Sequence, residues 1–93
     1  MIHSFSHRGL EQFFTKGSYR AIPVQFAPRL ERMLDRLDAA VQPDDMDLPS
    51  YRFHELKGKR KGTFTVLISG NWRLTFQFDG ENAIKKVDLE DYH

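Results

Sequence analysis

The apolar residues of this chain follow one spacing in its first half and another in its second, and that change of period most narrows the folds open to it. Leu30, Met33, Leu34, Leu37, Ala40 and Val41 recur three and four residues apart, opposite Arg29, Glu31, Arg32, Asp35 and Arg36. This predicts an amphipathic helix with a single buried stripe. Pro28 belongs in its first turn, where a missing N–H is harmless; a helix starting near Pro23 would instead bend at Pro28. A shorter helix from residue 7 to about residue 16 precedes it, with Ser6 as N-cap and Gly17 as its stop. Leu10, Phe13 and Phe14 share one face of it, and Gly9 weakens it. Residues 1–5 alternate loosely, as a short edge strand would. Residues 42–50 carry loop chemistry and no apolar period. Beyond them, residues 51–56, 63–69, 72–78 and 83–89 are rich in β-branched and aromatic side chains. Gly70-Asn71 and Asp79-Gly80 favour tight hairpins between the later segments. Two helices packed on a mostly antiparallel sheet give one α+β domain of two layers.

Composition narrows the function classes. The 93 residues suit one domain, and the absence of Cys excludes disulfides, thiolate metal sites and cysteine nucleophiles. No apolar run approaches the roughly 18 residues of a membrane span, and the start lacks the pattern of a signal peptide, so a cytoplasmic protein with no membrane partner is expected. A net charge of +1, from 14 Lys and Arg against 13 Asp and Glu, is not that of a polycation coating nucleic acid. The distribution matters more: Lys57, Lys59, Arg60 and Lys61 gather without an acid, while Asp35, Asp38, Asp44, Asp45 and Asp47 gather mid-chain. A local basic edge can bind phosphates whatever the total.

Three stretches could carry chemistry. The first runs from His54 through Lys57, Lys59, Arg60 and Lys61 to Gly62, a strand end entering a glycine-flanked basic loop. Charge runs of this kind are more often solvated turns than binding sites, and a single His is more often a half-buried strand residue. The second is Asn71-Trp72-Arg73-Leu74-Thr75-Phe76-Gln77-Phe78, whose alternation makes Trp72 core and aims Arg73 off the opposite face. There Arg73 suits a phosphate, or equally an ion pair with Glu55 or Asp88. The third is the tail, with Asp91, Tyr92 and His93, where the bland reading is a frayed end. RNA cleavage by the neighbouring ribose 2′-OH needs a base, an acid and cations on the phosphate, and no metal or other cofactor. His54 and the tail offer titratable groups, and Lys57 and Arg73 offer charge.

Ile2-His3-Ser4-Phe5, Leu56-Lys57-Gly58, Asn71-Trp72-Arg73-Leu74-Thr75-Phe76 and Glu90-Asp91-Tyr92-His93 together resemble the HigB toxins of the RelE/ParE superfamily, in the same order and at similar spacing. The resemblance spans nearly the whole chain. It implies a RelE-like fold and a ribosome-dependent endonuclease that cuts messenger RNA in the A site, held in check by a helix-turn-helix, HigA-like antitoxin. Carried over by motif, His54, Lys57, Arg73, Asp91, Tyr92 and His93 form the catalytic site, with Lys59, Arg60 and Lys61 as contacts to nucleic acid. The sequence departs from the family pattern where a strand arginine usually precedes Asn-Trp-Arg: Leu67 and Ser69 stand at those positions. That leaves Lys57, Arg60 or Arg73 to supply the phosphate-stabilising charge, or leaves a weak nuclease. Two other readings stay open, a ParE-like gyrase poison without a nuclease site and an inactive domain that only binds its antitoxin.

Overall fold

A computed structural model describes residues 1–80 and 83–91. Helix α1 (Arg8–Lys16) is capped by His7 rather than Ser6: the His7 backbone is extended, and its Nδ1 accepts the Leu10 N–H at 2.9 Å. A ring nitrogen thus does the work expected of a hydroxyl. The helix stops at Gly17 (φ 68°), where the N–H groups of Gly17 and Ser18 bond back to Phe13 and Gln12. Gly9 has a packing reason to be there. A Cβ on it would collide with the Ala21 side chain, so glycine lets the turn before α2 lie directly on α1.

Helix α2 (Ala27–Ala39) has Pro28 in its first turn and follows a 3-10 turn over Val24–Phe26, so the proline starts the helix and does not bend it. Leu30, Met33, Leu34 and Leu37 are fully buried. Val41 does not join their stripe, because the helix ends at Ala39 and leaves it 61% exposed. The loop after α2 is more ordered than its composition suggests. Pro43–Met46 form a 3-10 turn, the Asp45 carboxylate accepts the N–H of Val41 and Gln42, and Met46 fills the core. Arg29, on the polar side of α2, ties that helix to the sheet by donating to the carbonyls of Ser50 and Leu67 at 3.0 Å each.

The sheet is an antiparallel meander in the order β1 (His54–Glu55), β2 (Thr63–Ser69), β3 (Trp72–Phe78), β4 (Ile84–Asp91). The first strand is much shorter than residues 51–56, since Ser50 and Arg52 take positive φ and turn the chain before it can pair. Residues 1–5 run parallel along the outer edge of β4 through two isolated bridges, Ile2 with Ile84 and Phe5 with Val87. The Ile2 N–H, bonded to the Asp38 carboxylate at 2.8 Å, fixes that segment to α2. It covers an otherwise open sheet edge.

Alternation sorts the strands into two faces. Val66, Ile68, Leu74, Phe76, Ile84, Val87 and Leu89 meet the helices in one core, and the Trp72 ring lies 5.9 Å from that of Phe26. Each large apolar side chain buried there contributes about 1.5–3 kcal/mol. The face away from the helices holds polar residues in register: Thr63, Gln77 and Lys85 in one row, Thr65, Thr75 and Asp88 in the next, then Leu67, Arg73 and Glu90. A register shift between Thr75 and Gln77 falls opposite Lys86, whose positive φ accommodates it.

Candidate active site

The polar face of the sheet gathers most of the residues that sequence singles out. His54 is in register with Thr65, so β1 adds it to the row that holds Thr75 and Asp88. It is exposed, and its Nδ1 lies 3.1 Å from the Arg52 carbonyl oxygen. A carbonyl can only accept, so Nδ1 carries the hydrogen and Nε2 of the neutral ring is left with the lone pair. Arg73 rises half-buried from β3, between Leu67 of β2 and Glu90 of β4. Of the two positions where the family pattern leads one to expect an arginine, Leu67 shares this row and Ser69 is in register with Trp72.

The basic loop is a short 3-10 turn over Gly58–Arg60 with Lys57 as its N-cap and Lys61 as its C-cap. Gly58 (φ 70°) and Gly62 (φ 94°) bracket it in the left-handed region, which lets the chain reverse between β1 and β2. The Gly62 N–H donates to the Glu55 carboxylate at 2.9 Å and closes the turn. Lys57 faces a separate pocket of about 300 Å³ with Glu55, Leu56, Gly58 and Lys61. Lys59, Arg60 and Lys61 instead border a cleft of about 190 Å³ over the polar face, with Lys86 and the carboxylates of Asp88 and Glu90 among its other walls.

Within that cleft Arg60 does not behave like its lysine neighbours. Its guanidinium grips Glu90 at both ends, Nη1 to Oε1 at 2.9 Å and Nη2 to Oε2 at 2.6 Å, and the Thr75 hydroxyl donates to the same Oε2 at 2.7 Å. Arg60 holds the Glu90 carboxyl below its ordinary pKa; partial burial opposes that shift, and the Thr75 hydroxyl adds to it. The carboxylates considered from sequence as partners for Arg73 are engaged with backbone, Glu55 with Gly62 and Asp88 with Leu89. The carboxylate in register with Arg73 is Glu90. Neither Glu90 nor Thr75 stands out in the sequence. Only the register of β3 against β4 could have indicated them, because it places residues 73, 75, 88 and 90 on one face.

Asp91 ends β4 in register with Trp72, one step past Glu90 and hence on the alternate side of the strand. Tyr92 and His93 lie outside the described residues. The cleft sets cations of the loop beside hydroxyl and carboxylate groups of the strands, a lining suited to an anion, whereas His54, Lys57 and Arg73 are not among the residues that line it.

Comparison with known proteins places this geometry in a family context. The family described as the RelE-like toxin of the type II toxin-antitoxin system HigB matches residues 3–93. Over 93 residues, the full length of both chains, the sequence is 38% identical to the protein named endoribonuclease HigB of Proteus vulgaris. It is 35% identical over 95 residues to toxin HigB-1 of Vibrio cholerae serotype O1, covering 99% of this chain and 100% of the relative.

Proposed function

The chain belongs to the HigB-like family of RelE-like toxins from type II toxin-antitoxin systems, and from that membership we propose that it is an endoribonuclease cutting messenger RNA in the ribosomal A site. The observation that carries the reading is the cleft over the polar sheet face, where Lys59, Arg60, Lys61 and Lys86 surround hydrogen-bonding groups at the size of a phosphate and sugar. A full-length relative named as an endoribonuclease supports it.

In this reading the ribose 2′-oxygen attacks the adjacent phosphorus, the 5′-oxygen leaves, and a 2′,3′-cyclic phosphate forms without a metal. Lys57 and Arg73 balance the growing charge on the phosphate. His54 and His93 move the protons, His54 through Nε2, while Asp91 and Tyr92 hold the tail at the site. Lys59, Arg60 and Lys61 contact nucleic acid. Membership in a toxin-antitoxin system implies an antitoxin partner; we take it to be a helix-turn-helix, HigA-like protein encoded alongside. No helix among the described residues is long and apolar enough to cross a membrane, and a cytoplasmic site of action follows from a ribosomal target.

The test compares translated and untranslated copies of one transcript, on programmed ribosomes with the purified chain, mapping cyclic-phosphate ends. Cleavage confined to the translated copy is expected. Intact RNA together with a loss of DNA supercoiling would replace this reading with gyrase poisoning. Deleting Tyr92 and His93 should abolish cleavage while ribosome binding persists, and His93→Gln should slow the single-turnover step by about 10²–10⁴-fold. Full activity in the truncated chain removes the tail from the site.

A further inference from the structure

Arg60 and Glu90 are thirty residues apart in the chain, and their pairing has a cost. An arginine in a turn flanked by two positive-φ glycines has many rotamers to lose when one carboxylate holds it. Glu90 also takes a unit of positive charge out of a cleft whose use, on the reading above, is to attract phosphate. A surface that needed attraction alone would do better without that carboxylate. The pair therefore calls for an explanation in geometry.

The register supplies one. Glu90 stands beside Arg73 on the neighbouring strand, where cross-strand side chains are about 5 Å apart, and the same carboxylate grips Arg60 bidentately. Arg60 is so drawn from its loop onto the polar face of the sheet, where the Glu90 carboxylate and the Thr75 hydroxyl meet. The third member of the row, Leu67, carries no charge. The Thr75 hydroxyl bonds Oε2 from one row away and keeps the carboxylate from rotating. Arg60 stays within reach of a ligand, since its side chain is 47% exposed, against 21% for Glu90. A planar guanidinium spreads its charge over three nitrogens, so an arginine held by a carboxylate can still present positive charge to a phosphate.

We propose that Glu90, braced by Thr75, is a positioning residue that holds Arg60 over the polar face of the sheet as a cation on the scissile phosphate. The assignment rests on the endoribonuclease reading and sets Arg60 apart from Lys59 and Lys61, which contact nucleic acid elsewhere in the cleft. Donors fixed before the reaction need no reordering as charge develops, which is where pre-positioned groups gain most of their effect.

The experiment is a mutant cycle on the full chain, read as single-turnover cleavage on programmed ribosomes, with thermal unfolding as the check on folding. Arg60→Ala should slow cleavage on the order of 10²-fold, the effect of losing one fixed charge-stabilising donor. Arg60→Lys should recover little, because an ammonium cannot grip a carboxylate and a phosphate in fork geometry. Glu90→Gln should slow cleavage about tenfold or more in the parent, yet add nothing once Arg60 is Ala. Thr75→Val should act in the same direction, more weakly; if Glu90→Gln does not fold, the Thr75 and Arg60 pair runs the same cycle. Additive losses would mean that Glu90 acts on the substrate independently, and faster cleavage with tighter RNA binding would make it a phosphate mimic that blocks the site. Either result, or unchanged rates in Arg60→Ala, overturns the assignment alone. A parent chain that leaves translated message intact overturns the endoribonuclease reading, and the assignment with it.

Discussion

A carboxylate whose ionised form is held by a guanidinium makes stability depend on pH, with a sign fixed by the direction of its pKa shift. Glu90 titrates lower in the folded chain than its ordinary value, chiefly through the Arg60 hydrogen bonds. Its contribution to stability is therefore complete above the unfolded-state pKa and is lost as pH falls through the folded-state one. Glu90→Gln should be less stable than the parent at neutral pH, and the gap should narrow as pH falls below the ordinary carboxylate range. Urea titrations across that range measure it, and a gap constant with pH would mean that the Arg60 pairing contributes no ionic stabilisation. This residue-scale feature is not legible in sequence. Two exposed-looking charges thirty positions apart carry no local pattern, whereas Arg73 can be placed on the polar face because its neighbours alternate. His7 escapes sequence reasoning for a related reason, since a ring nitrogen in the N-cap role is less common than a hydroxyl.

Elements are legible when their pattern is self-sufficient and fail where a tertiary contact decides. The strands over residues 63–69 and 72–78 have the bounds that alternation predicts, and the buried stripe of α2 follows its three-and-four spacing from Leu30 to Leu37. By contrast, β1 shrinks to two residues because of backbone turns at Ser50 and Arg52, which composition does not announce. Gly9 shows the same conflict inside α1. Local propensity favours alanine there by roughly 1 kcal/mol. The packing against Ala21 opposes it, since a Cβ at position 9 has no room. Overpacking costs typically about 1–3 kcal/mol, so the steric penalty should win and Gly9→Ala should lower stability. Chemical denaturation of that variant decides between them. A more stable protein would mean that the residue 19–22 turn yields easily and that Gly9 is no more than a weak point in the helix.

At the scale of the whole molecule, attraction to RNA cannot come from net charge, which is only +1. It has to come from the separation of charge along the fold. Asp44, Asp45 and Asp47 sit in and just after the 3-10 turn that follows α2, while Lys59 and Lys61 belong to the turn between β1 and β2, at the rim of the cleft. Salt screens exposed charges over a Debye length of about 8 Å under physiological conditions, so the field met at the rim is set mainly by the charges that line it, Lys59 and Lys61 among them. Lys59 and Lys61 are both exposed, and neither has an ion pair in the structure among the described residues. Replacing both by Ala should therefore leave folding within about 0.5 kcal/mol per site. Ribosome binding should weaken, and the slope of log affinity against log salt should become shallower by roughly 0.7–0.9 for each phosphate that the variant no longer neutralises, because every phosphate neutralised releases condensed counterion. Arg60 is left intact in this variant, so a change in salt slope reports on attraction and not on the geometry that Glu90 imposes. An unchanged slope across the salt series would make Lys59 and Lys61 solvated turn residues and leave the attraction to Lys57, Arg60 and Arg73.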